Sequence, residues 1–215
     1  MPIKAILFDL DGTLIDTLDD ITCAFNCVLA EYNRDPLTSH QLKPLVSDGS
    51  PYMIPAAFDV TVDDEEYHLI RHKILENYQL QADKNSQLYP GIATLLDRLD
   101  QDNMPWGIVT NKLENLAKNI LIRFNLFARC KVLVGGDTLN CNKPAPEPLW
   151  HACDHLKVTP AETLFIGDSE RDVKAANAAK IKSITVSHGY RSADFNSKAY
   201  DTLMIHDPLQ ILSML

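Results

Sequence analysis

Two aspartates separated by one leucine close an almost unbroken apolar run, "KAILFDLDGTLID", from Lys4 to Asp16. A buried strand ending in an ordinary polar turn needs no more than one of them. A carboxylate at a rigid strand end can attack phosphorus and form an acyl phosphate, dividing one difficult hydrolysis into two easier steps, and Asp9 stands in that place. Residues two apart in an extended segment point to the same side, so Asp11 reaches the same reacting group. It could protonate the leaving oxygen and then take a proton from water. Crowding of the two carboxylates would help keep Asp11 protonated for the first step. Gly12 permits a tight departure, and the Thr13 hydroxyl holds the turn.

Further polar groups follow other apolar runs. "WGIVT" (106–110) leads into Thr110-Asn111-Lys112, "TLFIG" (163–167) leads into Asp168-Ser169, and Lys143 stands in "NKPAPEP", a loop stiffened by Pro144, Pro146 and Pro148. Ligands of open parallel sheets sit beyond the carboxyl ends of the strands, so these groups are expected on one edge. Asp9 and Asp168, from separate strands, suit Mg²⁺, which takes few protein oxygens, keeps several waters and shares a substrate phosphate. Thr110 and Lys143 would hold the non-bridging oxygens as charge shifts in the transition state. Phosphate monoesters are among the slowest uncatalysed hydrolyses, with accelerations up to about 10²¹. One aspartate cannot supply that, and the whole cluster is required.

The elements that must position these residues are short runs rich in Val, Ile, Leu and Phe. To the three above the sequence adds "KVLVG" (131–135), "SITVS" (183–187) and "TLMI" (202–205), with helix-length segments between. Near-continuous apolar strands are expected where helices cover both sheet faces. The alternation predicts an α/β fold, a doubly wound parallel, Rossmann-like sheet. Residues 16 to 85 carry no strand run. There Thr17 with Asp20 reads as a capping pair opening a helix through "ITCAFNCVLAEY", Ser50-Pro51 as a cap and first helical position, and "DDEEYHLIRHKILENYQLQ" as a long charged amphipathic helix. The expected organisation is an α/β catalytic core, 1–15 with 86–215, interrupted by an inserted α-helical cap, 16–85.

A chain of 215 residues accommodates one such domain with its insertion. The formal net charge of -9 disfavours attraction to a nucleic-acid backbone or an anionic membrane surface. The expected partner is a small phosphorylated metabolite, with no nucleic acid and no membrane, and the chain is expected to be a monomer or homodimer. Five cysteines, an odd number without paired short spacings, give neither a disulfide framework nor a zinc ribbon. The first apolar run is short and broken by Asp9 and Asp11, unlike a signal peptide or a membrane span, so a cytoplasmic location is expected. His68 with His72, and His151 with His155, lie at i and i+4; lacking a zincin glutamate or a third ligand nearby, they read as ordinary helix-face histidines.

"DLDGT", "IVTNK", "NKPAPEP" and "GDSERD", in this order, resemble the four motifs of the haloacid dehalogenase-like phosphatase superfamily, and the insertion after the first is similar to that of its helical-cap members. Within it the whole chain resembles bacterial phosphoglycolate phosphatases and their relatives acting on N-acetylmuramic acid 6-phosphate, "MPWGIVTNK" and the tail around "HGYRSADFN" being shared cues. The resemblance implies Asp9 as nucleophile, Asp11 as acid/base and backbone metal ligand, Thr110 and Lys143 as phosphate binders, and Asp168 as metal ligand. It further implies that Asn111 supports the phosphate and that Asp172 supports the metal through water. Ser169-x-x-Asp172 reads equally as a helix capping box, so both roles stand open for Asp172. Substrate choice would fall to the cap loop "LVSDGSPYM" with Ser47, Asp48 and Gly49, in which Asp48 and Pro51 stand where relatives often carry uncharged or basic residues.

Three other functions are compatible with parts of the pattern. A phosphomutase uses the same phosphoaspartate. A phospho-receiver domain shares acids, a threonine and a lysine, but carries no such cap and no acid two residues beyond its acceptor. A non-catalytic relative usually loses the nucleophile, and Asp9 is intact.

Overall fold

The computed structural model describes residues 2–81, 84–190, 195, 200 and 202–215. In chain order the elements are β1 (Ala5–Phe8), β2 (Ile15–Asp16), α1 (Leu18–Glu31), α2 (Ser39–Val46), α3 (Ser50–Phe58), α4 (Glu65–Gln81), β3 (Gln87–Leu88) and α5 (Ile92–Gln101). They continue as β4 (Trp106–Val109), α6 (Glu114–Arg123), β5 (Leu133–Val134), α7 (Glu147–Leu156), β6 (Thr163–Gly167), α8 (Glu170–Ala179), β7 (Lys182–Val186) and β8 (Leu203–Ile205). The apolar runs pair into one parallel sheet in the order β5-β4-β1-β6-β7-β8. "KVLVG" contributes only Leu133 and Val134 to it, less than its composition predicts.

Both faces of the sheet are buried, which is why its strands do not alternate. Ile6 and Phe8 point into one apolar layer with Trp106, Ile108, Leu95 and Leu99. Leu7, between them, points into the other with Val109, Phe165, Leu149 and Ala176. β1 lies between β4 and β6, and its last residue pairs with Ile108 on one side and Ile166 on the other. That register brings the chain after all three strands to one level within a residue or two. The sequence therefore delivers Asp9, Thr110 and Asp168 to one end of the sheet.

The chain divides into two compact units, residues 1–16 with 88–215, and 17–87. In the second unit Phe25, Leu29, Ile54, Phe58 and Ile70 are buried. The Arg34 guanidinium donates to the carbonyls of Ala57 and Phe58 and to Asp59 Oδ2, closing the C-terminal end of α3. Thr17 is the N-cap of α1 as expected, with no capping hydrogen bond to its side chain. Asp20, fully buried, accepts from Asn85 N and Nδ2 at 3.0 and 3.1 Å and from Ser86 N and Oγ at 2.9 and 2.5 Å, fastening the returning chain to the start of α1. Asp20→Ala should leave these donors unsatisfied and destabilise the unit by about 2–4 kcal/mol, read as a lowered Tm and faster amide exchange at 84–87. α3 begins one residue earlier than expected: Ser50 is its first residue, Pro51 its second, and Gly49 at φ 73° is the N-cap. No helix among the described residues is long and apolar enough to cross a membrane.

Candidate active site

Asp9 is the first residue beyond β1, and its N–H still donates to Ile166 O at 2.8 Å, so its backbone is held by the sheet. Its Oδ1 accepts from Leu10 N at 2.8 Å and from Lys143 Nζ at 2.9 Å. The next residues fold back tightly. Thr13, Leu14 and Ile15 all donate backbone N–H groups to Leu10 O, and Gly12 donates to Ile15 O. Gly12 adopts φ 79°, and an added Cβ would come within 2.5 Å of Asp168 Oδ2. Glycine is required there by conformation and by space alike.

Lys143 is 2% exposed, and its ammonium spans two carboxylates, Asp9 Oδ1 at 2.9 Å and Asp172 Oδ1 at 2.6 Å. Burial alone would lower its pKa, but Asp172 and Asp9 outweigh that and raise it. The loop carrying Lys143 is clamped from β4: Asn111 Nδ2 donates to Lys143 O at 2.9 Å, and Lys143 N donates to Asn111 Oδ1 at 3.0 Å. Both ends of the Asn111 amide are thus engaged by the backbone of Lys143. Thr110 is buried beside it, its Oγ1 accepting from Lys112 N at 3.2 Å.

Of the two roles the sequence left open for Asp172, the structure shows the capping box, and it adds a contact to Lys143. Its Oδ2 accepts from Ser169 N and Oγ at 3.0 and 2.6 Å, and its own N–H donates back to Ser169 Oγ, completing the capping box of α8. Its Oδ1 meanwhile anchors Lys143. Ligand oxygens of Asp9, Asp168 and Asp172 lie within 4.8 Å of one another. Burial pushes the Asp9 carboxyl up to about 6, with Lys143 pulling it down and Asp172 pushing it up. Burial, then Asp172 and Asp9, hold Asp168 well above the ordinary carboxylate range. Three crowded, desolvated carboxylates served by one ammonium form an oxygen-rich pocket whose charge calls for a further cation, the donor chemistry that Mg²⁺ prefers.

The family model described as haloacid dehalogenase-like hydrolase matches residues 6–186. The chain belongs to that family. It is 38% identical over 209 residues, 97% of this chain and 94% of the relative, to a phosphoglycolate phosphatase of Xanthomonas campestris pv. campestris. It is 35% identical over 216 residues, 100% of this chain and 96% of the relative, to an N-acetylmuramic acid 6-phosphate phosphatase of Pseudomonas aeruginosa. A crystal structure of a predicted phosphoglycolate phosphatase from Haemophilus somnus superposes with a TM-score of 0.89 at 25% identity, covering 99% of this chain and 97% of that one. The protein is a phosphatase of the haloacid dehalogenase-like family.

Asp11 lies apart from the acidic trio of this haloacid dehalogenase-like site. Both its oxygens meet Lys112 Nζ, at 3.0 and 3.1 Å. Lys112, whose side chain is 7% exposed, is a site residue the sequence reading passed over. Its adjacency to Thr110 and Asn111 was the available signal. Gly189 was passed over too: an added Cβ would lie 2.2 Å from Asp168 Cβ and 2.3 Å from its Oδ2. Gly189→Ala should displace Asp168 and weaken the Mg²⁺ activation midpoint about 10- to 100-fold, measured by titrating phosphatase activity with the metal. Of the tail "HGYRSADFN", residues 191–194 and 196 lie outside the described residues. Ser47, Asp48 and Gly49 connect α2 to α3 in the other unit, where Gly49 N donates to Leu45 and Val46 carbonyls. The histidine pairs behave as surface residues: His72 meets Glu76 at 3.3 Å, and His151 and His155 are exposed.

Proposed function

We propose that the protein hydrolyses a small-metabolite phosphate monoester through a phosphoaspartate on Asp9, with 2-phosphoglycolate as the first candidate substrate and N-acetylmuramic acid 6-phosphate as the second. The observation that carries this reading is Lys143, buried between Asp9 and Asp172 at the carboxyl end of β1. It holds the nucleophile at a fixed place and puts a positive charge where phosphate oxygens would arrive. The choice of substrates rests on the two relatives, whose names differ in substrate while their identities to this chain, 38% and 35%, are nearly equal.

In the proposed reaction an Asp9 oxygen attacks phosphorus, the ester oxygen leaves with a proton from Asp11, and Asp11 then takes a proton from the water that attacks the acyl phosphate. Asp9, Asp168, the Asp11 carbonyl and, through water, Asp172 would hold Mg²⁺, which when bound offsets negative charge on the phosphoryl oxygens. Thr110 and Lys143 bind those oxygens. Asn111, through both ends of its amide, sets the position of Lys143. Residues 17–87 act as the cap that excludes water from the reaction, and the Ser47–Gly49 loop reads the alcohol portion of the substrate. Five free cysteines and no membrane-spanning helix among the described residues support a cytoplasmic enzyme.

The test is phosphate release with Mg²⁺ from a panel of small-acid and sugar phosphates. kcat/KM is then compared between 2-phosphoglycolate and N-acetylmuramic acid 6-phosphate. A folded protein that releases phosphate from no member of the panel would overturn the reading. A preference of tenfold or more for a third substrate would overturn only the assignment of substrate.

A further inference from the structure

Beyond β7 the chain carries His188, Gly189 and Tyr190, and each touches the turn after β1 or the acid Asp168. His188 Nε2 lies 3.1 Å from Thr13 O, and its ring packs on Tyr89 with centroids 4.1 Å apart. Gly189 lets the segment pass against Asp168. Tyr190, 1% exposed, makes two hydrogen bonds in different directions. Its N–H donates to Asp168 Oδ2 at 2.5 Å, and its hydroxyl donates to Asp16 Oδ1 at 2.6 Å. A side-chain hydrogen bond also joins the hydroxyls of Tyr190 and Tyr89. The Tyr190 ring lies over the open face of Gly12.

Asp16 is the last residue of the core unit before the chain passes into 17–87, and Tyr89 follows Leu88, the first core residue on its return. One phenol therefore ties together the departing and the returning chain. The main chain of the same residue holds the acid beside the nucleophile. A phenol donating to a carboxylate at this distance is among the stronger neutral-to-ion hydrogen bonds, and here it is sheltered from water.

We propose that Tyr190 is a positioning residue for the phosphatase reaction, its hydroxyl fixing the two crossings to the helical insertion while its backbone fixes Asp168. This rests on the reading of residues 17–87 as a cap that closes over substrate. Closure of an inserted unit is absorbed by a few residues at element ends, and here those are the crossings at 16–17 and 87–88. Untethering them enlarges the set of cap orientations and lowers the fraction that is competent to bind. The loss falls on substrate affinity and leaves the metal untouched.

Tyr190→Phe separates the two functions, because it keeps the N–H to Asp168 and the ring over Gly12 and removes only the hydroxyl. Asp16→Ala cuts the same bond from its other end. For the better of the two candidate substrates, Tyr190→Phe should raise KM about tenfold with kcat changed less than threefold and the Mg²⁺ activation midpoint within twofold of the parent. The Tyr190→Phe/Asp16→Ala double variant should be no worse than the poorer single one. Amide exchange at residues 14–18 and 86–90 should quicken in Tyr190→Phe, measured without substrate. Parent-like kinetics and exchange, a shifted metal midpoint, or additive single effects would each overturn the proposal. If the parent protein releases no phosphate at all, the functional reading fails while exchange at the crossings still decides whether Tyr190 tethers them.

Discussion

Asp9→Asn should lower phosphate release by at least about 10⁴-fold while leaving the protein folded. The substitution keeps the shape of the side chain and an oxygen to accept from Leu10 N and Lys143, but the amide cannot form the acyl phosphate. The size of the loss follows from the chemistry assigned to Asp9, because the remaining groups bind and polarise phosphate without offering a nucleophile. Acid quench after exposure to labelled substrate should trap phosphate on the parent protein and none on the variant. Turnover in Asp9→Asn within tenfold of the parent would exclude the covalent route.

The same variant carries a stability signature of opposite sign. Burial raises Asp9 to about 6, from an ordinary 3.8, so the folded state holds its proton more tightly than the unfolded chain does. A carboxyl raised in this way costs nothing below about pH 4. Its penalty grows as pH rises through the interval between the two values, and it is complete above pH 6. Without metal, Asp9→Asn should therefore be the more stable protein at pH 7.5, by on the order of 3 kcal/mol, and no more stable than the parent at pH 4. Mg²⁺ should reverse the order at pH 7.5, since a bound cation stabilises the parent more. Melting curves at the two pH values, with and without Mg²⁺, measure all four cases.

The fold was legible because its strands are short and apolar on both faces. "KAILF", "WGIVT" and "TLFIG" needed no partner information to be read as buried strands, and a parallel register then brings their ends together. "KVLVG" was over-read because composition does not report where regular strand pairing stops: only Leu133 and Val134 lie in register, opposite Ile108 and Val109. Asp20 was half legible. Three residues after Thr17 it matches a capping pair, but the sequence cannot show Asn85 and Ser86 arriving from 65 residues away to donate to both its oxygens.

At the site the residues with unusual chemistry stood out, and the residues that hold them did not. Asp9 and Asp168 are conspicuous because charge at the end of an apolar run is costly unless it is used, and Lys143 because it stands in a loop stiffened by three prolines. The family resemblance implies that Asn111 supports the phosphate, and its amide engages the backbone of Lys143 at both ends. Gly189 and Tyr190 meet Asp168 through where the chain folds back, which no local pattern encodes. Asp172 takes the capping role the sequence offered and a contact to Lys143 that it did not. A carboxylate has two oxygens, and here one caps a helix while the other holds a lysine.

Lys143→Met should destabilise the metal-free protein by about 3–5 kcal/mol at pH 7.5 and lower turnover by at least about 10³-fold. Methionine fills nearly the same volume, so the loss is electrostatic. Removing the ammonium leaves Asp9 and Asp172 buried, near Asp168, with no cation among their charge partners in the trio. The Asp9 and Asp168 carboxyls, which burial raises and Lys143 pulls down, then resist ionisation further. Because each raised carboxyl penalises the folded state only above its ordinary pKa, the deficit in Tm should shrink as pH falls and nearly vanish below pH 4. Lys143→Met/Asp172→Asn distinguishes charge balance from catalysis. Deleting one of the stranded carboxylates should restore much of the stability at pH 7.5, yet turnover should stay low, because no ammonium remains to meet the phosphoryl oxygens. Recovery of activity along with stability would mean that Lys143 serves only to neutralise Asp172, and that some other group stabilises the transferring phosphoryl.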